Sequence, residues 1–277
     1  MRVTIFGASG LLGKALIREW SGAAVTGLSS RDADIRDSNA VQKAVQATNP
    51  DWVVLAAAYT DVDGCETNRD LAFAVNRDGA VNVAAAARTA GARLLFLSSD
   101  YVFDGRKSSP YETNDERNPQ SVYGRTKAEA EVKLLEANPD CCVVRTSWLF
   151  GVGGKCFPDT ILKLAASRPA IDVVDDQRGC PTYAEDLARA IIQLCRKNAG
   201  GIVHVTNAGD CTWFEFAQEI VRMAGLPATV RPVSSKQMAR PAPRPAYSLL
   251  SPAGMRSFGI AMPPWRDALQ RYLKLRG

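Results

Sequence analysis

Short apolar runs rich in β-branched residues alternate with alanine-rich stretches of helical period through the first half of this chain. "RVTIF" leads into a predicted helix from about Leu11, "AAVTGL" into one across "SNAVQKAVQA", and "WVVLAAA" into a long helix from about Asp70 to Ala90. "RLLFLSS" precedes a helix from about Tyr123, and "CCVVRTS" comes next. Apolar runs without strict alternation belong to strands covered by helices on both faces, the environment of a parallel sheet. The order predicts an α/β, doubly wound fold over residues 1–150. Beyond about Phe150 the pattern loosens. "GVGGKCF" is glycine-rich, "IDVVDD" and "IVHVTN" read as strands, and "TWFEFAQEIVRMAG" is an amphipathic helix closed by glycine. "RPAPRPAYSLLS" cannot be regular helix, because its prolines lack an amide donor and fix φ. These segments predict a smaller, interleaved C-terminal lobe over 151–277, with residues 172–207 partly returning to the main sheet.

"IFGASGLLG" places Gly7, Gly10 and Gly13 directly after the first strand, where they open the first helix. The first glycine permits a tight turn, the second lets a pyrophosphate approach the backbone, and the third allows close helix packing. The helix N-terminus adds amide donors and its dipole. Within a first β-α unit this is the pattern of a Rossmann dinucleotide site, and Ser9, Leu11 and Leu12 join the glycines as candidate contacts. An NAD site usually sets Asp or Glu on the ribose about 20 residues on. Here "GLSSRDADIRD" offers Ser29, Ser30 and Arg31 instead. Two hydroxyls and a guanidinium suit a 2′-phosphate, which favours NADPH, with NADH as the alternative; a solvated loop arginine is the plainer reading of Arg31. Asp34 and Ile35 fall where an adenine edge would lie.

The fourth apolar run leaves through "SSDYVFDG", two hydroxyls and a carboxylate that a strand interior would not choose. "YGRTK" then sets Tyr123 and Lys127 one helical turn apart, on one face. A hydride delivered to a carbonyl carbon leaves an alkoxide that needs a proton. Tyrosine, ordinarily near pKa ~10, serves at neutral pH when a cation favours its phenolate. Lys127 is a candidate for that cation and for a bond to the nicotinamide ribose, while Ser99 would donate to the developing oxyanion. Asp100 would bond either a sugar hydroxyl or a backbone amide.

The series GxxGxxG, "AAYTDVDGCE", "VNRDG", "SSDYVFDG", "YGRTK", "RTSWLFG" and "DDQRGCPTYAEDLA" resembles the dTDP-4-dehydrorhamnose reductases, extended short-chain dehydrogenase/reductases, from Met1 to nearly the C-terminus. Ser99 stands where that family usually has threonine, and it keeps the donor. The resemblance implies Tyr123 as the acid, Lys127 as its partner, and Ala57, Ala58, Tyr59 and Asn76 near the cofactor. It sets Val62, Asp63, Tyr101, Phe103 and Trp148 around the sugar or nucleotide. The implied reaction is NAD(P)H-dependent reduction of a 4-keto-6-deoxysugar nucleotide to dTDP-L-rhamnose for cell-surface polysaccharide. A tryptophan just after a strand is also a common core residue. Lys155, Arg240 and Arg244 lie in glycine- or proline-rich loops and suit either a diphosphate or solvent. Related dehydratases carry Glu where this chain has Tyr101, which argues against dehydration; an epimerase or a reductase of another deoxysugar shares the remaining motifs. The regulatory β subunit of methionine adenosyltransferase also shares the SSDYVFDG stretch and a tyrosine-lysine pair, so a non-catalytic partner protein is the alternative from another class.

Composition narrows the field. A net charge of +5 comes from basic residues scattered among acidic ones, which points away from nucleic acid. No apolar run nears the ~18 residues of a membrane span, and the N-terminus lacks a signal-peptide pattern, so a cytoplasmic location is expected. Seven cysteines form no CxxC spacing and read as reduced and mostly buried. The single histidine, His204, reads as an interior strand residue and argues against zinc or a Ser-His triad. Mg2+ is possible, although no motif indicates it. The expected partners are a nucleotide sugar and, as a candidate, a second copy of the chain.

Overall fold

The computed structural model describes residues 1–276. The chain runs β1 (Arg2–Phe6), α1 (Leu11–Glu19), β2 (Ala24–Leu28), α2 (Ser38–Thr48), β3 (Trp52–Leu55), α3 (Val62–Thr67), α4 (Arg69–Phe73), a π turn (Ala74–Asp78), α5 (Gly79–Thr89) and β4 (Arg93–Ser99). Helix α6 (Val122–Ala137) and strand β5 (Cys142–Thr146) complete the first half. These strands, joined by a later one, β10 (Gly201–His204), form a parallel sheet ordered β2-β1-β3-β4-β5-β10. Successive side chains explain why the runs lacked alternation. Val54, Leu95 and Val144 face a layer of α1 and α8 (Ala184–Arg196), whereas Val53, Leu94, Phe96 and Val143 face α2, α5 and α6. Both faces of β3 and β5 are therefore buried.

Local chemistry sets the helix starts. Asp37 caps α2 by accepting from the amides of Asn39 and Ala40, and Ser121 caps α6 by accepting from Gly124. The long helix expected from Asp70 is interrupted by the π turn, which carries Asn76 inward.

The second half builds a lobe from β6 (Leu149–Phe150), α7 (Phe157–Ser167), β7 (Ala170–Val174), β8 (Arg178–Gly179), β9 (Thr182–Tyr183), β11 (Cys211–Thr212), α9 (Trp213–Met223) and β12 (Thr229–Val233). Short helix α10 (Ala253–Ser257) and α11 (Trp265–Arg276) follow. Phe150, Tyr183, Phe216, Trp265 and Tyr272 fill its core. Of the segment 172–207, β10 joins the main sheet, whereas β7 pairs with β12 in the lobe. Residues 240–251 run as an irregular strap. Tyr111 N–H donates to Leu249 O, and Ser248 N–H to Arg178 O. Among the described residues no helix is long and apolar enough to cross a membrane.

Candidate active site

Strand order reverses between β1 and β3, so the chain diverges at their carboxyl ends and leaves a crevice there. Gly7 ends β1 at φ +91°, with its amide and that of Ala8 donating to Leu28 O on β2. A Cβ at Gly7 would lie 2.5 Å from Ala57 N, and one at Gly13 would lie 2.1 Å from Gly7 O. No side chain caps α1 at Gly10, so its first amides remain open to a ligand. The two tight glycines bring the turn, α1 and the end of β3 together, and the uncapped amides at the helix start suit a dinucleotide pyrophosphate.

A cleft of about 600 Å³ extends from the cradle. Gly7, Ser9, Gly10, Leu11, Leu12 and Gly13 line one end, with Ala57 and Ala58 beside them. Ser99, Asp100, Tyr101, Tyr123 and Lys127 line it as well, as do Val62, Trp148 and Lys155. A side recess holds Ser29, Ser30, Asp34 and Ile35. There Ser29 Oγ donates to Asp32 at 2.6 Å, and Asp34 pairs with Arg36. Arg31 is exposed and lies outside both hollows; only its amide bonds Ser29.

The polar strand exit resolves into separate jobs. Ser98 Oγ donates to Glu131 behind the cleft at 2.5 Å, while Ser99 Oγ donates to Asp100 Oδ1 at 2.9 Å. Burial lifts the Asp100 carboxyl to about 6, with nearby hydroxyls pulling the other way. Asp100 Oδ2 is buried without a hydrogen-bond partner among the described residues. Burial also pushes the Tyr123 phenol well above its ordinary value, opposed by the Ser99 hydroxyl. Lys127 moves the other way. Burial lowers its ammonium to about 7, against the nearby Glu131 charge, and Nζ rests 4.4 Å from the centre of the Phe96 ring. The sequence suggests a phenolate favoured by Lys127; in the folded chain burial is the largest influence at both groups and favours the protonated phenol of Tyr123.

Several expected contacts lie elsewhere. Asn76 is buried behind the cleft: its Oδ1 accepts from Tyr59 N–H at 2.8 Å, and its Nδ2 donates to Tyr59 O and Thr126 Oγ1. It therefore ties the turn after β3 to α6. Tyr59 packs behind Tyr123 with Cys65 and Val122. Phe103 is a core residue, stacked on Tyr111 with centroids 4.1 Å apart, because the chain turns it beneath the strap. The Asp63 carboxylate accepts from Arg240, Arg244 and Ala242 N–H. Burial opposes ionisation of Asp63, yet the guanidiniums win and hold it at about 2. Arg240 and Arg244 thus pin the strap to α3 and do not line the cleft. His204 is interior beside Arg145, and burial lowers its imidazole to about 3.

The family model described as the RmlD substrate binding domain matches residues 1–276. The chain belongs to this family. Among RmlD-family relatives, dTDP-4-dehydrorhamnose reductase of Streptomyces griseus is 43% identical over 97% of this chain and 91% of its own. Spore coat polysaccharide biosynthesis protein SpsK of Bacillus subtilis is 39% identical over 99% and 98%. The crystal structure of dTDP-4-dehydrorhamnose reductase from Bacillus anthracis in complex with NADP superposes with a TM-score of 0.96 at 38% identity, covering 99% of each chain.

In this RmlD-family chain the pattern reading passed over Trp213 and Phe157, which also line the cleft. Trp148 adopts φ +46°, rare for a bulky residue, and its indole stacks on Trp213 with centroids 3.6 Å apart and planes 9° from parallel. Gly179 lies so close that a Cβ there would come within 2.7 Å of the Trp148 ring. Trp213 carries one signal, its place as the first residue inside the Thr212–Glu215 capping box, but nothing in the helical pattern shows its partner. Lys155 faces the cleft, and its ammonium bonds no other described residue, unlike the two strap arginines.

Proposed function

We propose that the protein reduces the 4-keto group of dTDP-4-dehydro-L-rhamnose to dTDP-L-rhamnose, with NADPH as hydride donor and NADH as the weaker one. The supporting observation is a single cleft joining the glycine cradle to Ser99, Tyr123 and Lys127 and continuing to Trp148 and Lys155. When bound, the dihydronicotinamide supplies a hydride to the carbonyl carbon, and the π pair moves onto oxygen. Ser99 has one hydroxyl proton, which it donates to Asp100, so the hydroxyl turns to the substrate oxygen as it binds. Tyr123 then gives its phenolic proton to the same oxygen and regains one from solvent. Its burial keeps the proton-donor form populated, the form a reduction needs. Lys127 holds the nicotinamide ribose, Asp100 accepts from a sugar hydroxyl, and Lys155 meets the diphosphate. Ser29 and Ser30 of the recess receive the 2′-phosphate, with the exposed Arg31 side chain swinging in from outside it.

Loss of NADPH absorbance with dTDP-4-dehydro-L-rhamnose tests the reading. Removing the proton donor in Tyr123→Phe lowers kcat by about 100-fold or more, and Ser99→Ala lowers it by at least about 10-fold. A parent that binds NADPH yet oxidises it with no keto-sugar would favour the regulatory-subunit reading instead.

A further inference from the structure

Glu131 lies on α6 one turn beyond Lys127 and takes no part in the chemistry above. It is fully buried and receives bonds from three elements. Ser98 Oγ of β4 donates at 2.5 Å, Arg145 of β5 donates through Nε at 2.9 Å and Nη2 at 2.6 Å, and Arg117 of the preceding loop donates at 2.6 Å. Arg145 Nη1 reaches Thr113 O and lies 3.3 Å from His204 Nε2 on β10. Two adjacent strands, the preceding loop and the helix therefore meet at one carboxylate, and a third strand, β10, reaches it only through Arg145.

Stability is a weak account of such a cluster, because buried ion groups are often matched or bettered by apolar side chains of similar size. Register is a stronger one. Ser99 stands on β4, whereas Tyr123 and Lys127 stand on α6, so the three groups keep their spacing only while strand end and helix keep theirs. Ser98 and Glu131 provide a direct side-chain bond between those two elements, one residue before Ser99 and one turn after Lys127.

We propose that Ser98 and Glu131 are positioning residues for the reduction, fixing the end of β4 against α6 so that the Ser99 hydroxyl and the Tyr123 phenol reach one carbonyl oxygen. The proposal rests on the reductase reading. Misplacing a reacting group by about 1 Å can cost up to ~100-fold in rate. Ser98→Ala removes only the strand-to-helix bond, since Glu131 keeps both arginines and the fold keeps its buried charge balance.

The test measures steady-state kinetics, thermal midpoint and the deuterium effect of 4-deuterated NADPH for the parent, Ser98→Ala and Ser98→Thr. In Ser98→Ala we expect kcat to fall about 10-fold, KM for NADPH to stay within about two-fold, and the isotope effect to rise as hydride transfer limits turnover. Ser98→Thr, which restores the hydroxyl, recovers most of kcat. An active parent whose Ser98→Ala variant keeps its kcat, or loses it only in step with its thermal midpoint, overturns the proposal. So does a Ser98→Thr variant that folds like the parent and is no better than alanine. A parent inactive on every keto-sugar removes the reductase reading itself, and this inference with it.

Discussion

Lys127 shows how a single side chain trades stability for chemistry. Its ammonium is lowered to about 7 in the folded chain from an unfolded value near 10.5. Between those values the unfolded chain binds more protons, so this group's contribution to stability rises with pH from about 7 to about 10.5. Below pH 7 the full cost of burying the cation remains. Lys127→Met should therefore raise the thermal midpoint of the ligand-free protein by about 2 °C or more at pH 6, with a smaller gain at pH 10, while abolishing turnover. Calorimetry at the two pH values checks it; equal shifts at both would contradict the argument. Gly13 is constrained by space instead. Alanine there sets its Cβ 2.1 Å from Gly7 O, with no flexible side chain to give way. Gly13→Ala should cost on the order of 2–4 kcal/mol of stability and weaken NADPH binding at least about 10-fold, measurable by denaturant titration and by cofactor fluorescence.

At the scale of elements, α9 and the loop after β5 meet in the Trp148–Trp213 stack. Trp213→Ala leaves Trp148 in its left-handed backbone with no face-to-face support. It should raise KM for the nucleotide sugar about 10-fold, while KM for NADPH moves less than about two-fold, because neither the glycine cradle nor the side recess is altered. Steady-state titration of each substrate separates the two. The stack marks where the sequence stops being legible. Local features were plain: the glycine cradle and the Tyr123–Lys127 turn follow from spacing within one element, and the parallel strands follow from two-sided burial. What depended on distant chain stretches was not. Trp213 meets Trp148 only because the lobe folds back over the cleft, and Asp63 meets Arg240 and Arg244 across the strap. Phe103 lies four residues from Ser99, yet the turn after β4 carries it into the core beside Tyr111. The resemblance implies Asn76 near the cofactor; the π turn directs its amide to the backbone of Tyr59, between the cleft-lining Ala58 and Thr60. Proximity in sequence to a reacting residue says little once the chain bends.

For the molecule as a whole, cofactor and fold are linked. NADPH bound to the cradle at about 100 times its dissociation constant should stabilise the protein by about 2.7 kcal/mol, a shift readable by thermal denaturation. In Gly13→Ala, which binds NADPH about 10-fold more weakly, the same concentration should stabilise by only about 1.4 kcal/mol over that variant without cofactor. The sheet's last strand has a different consequence. Because β10 lies far along the chain and pairs with β5, the main sheet is incomplete while the lobe's first elements are being made. At about 5–20 residues per second, a ribosome leaves the β5 edge, "CVVRT", without its neighbour for several seconds. That edge carries Cys142 and Val144 on one face and Val143 on the other and has open backbone donors, the features that invite pairing with another chain. A chain ended at Gly200 should therefore pellet where the full chain stays in solution. The order of synthesis, as much as the final contacts, therefore sets the interval, between the emergence of β5 and that of β10, in which mispairing is open to this chain.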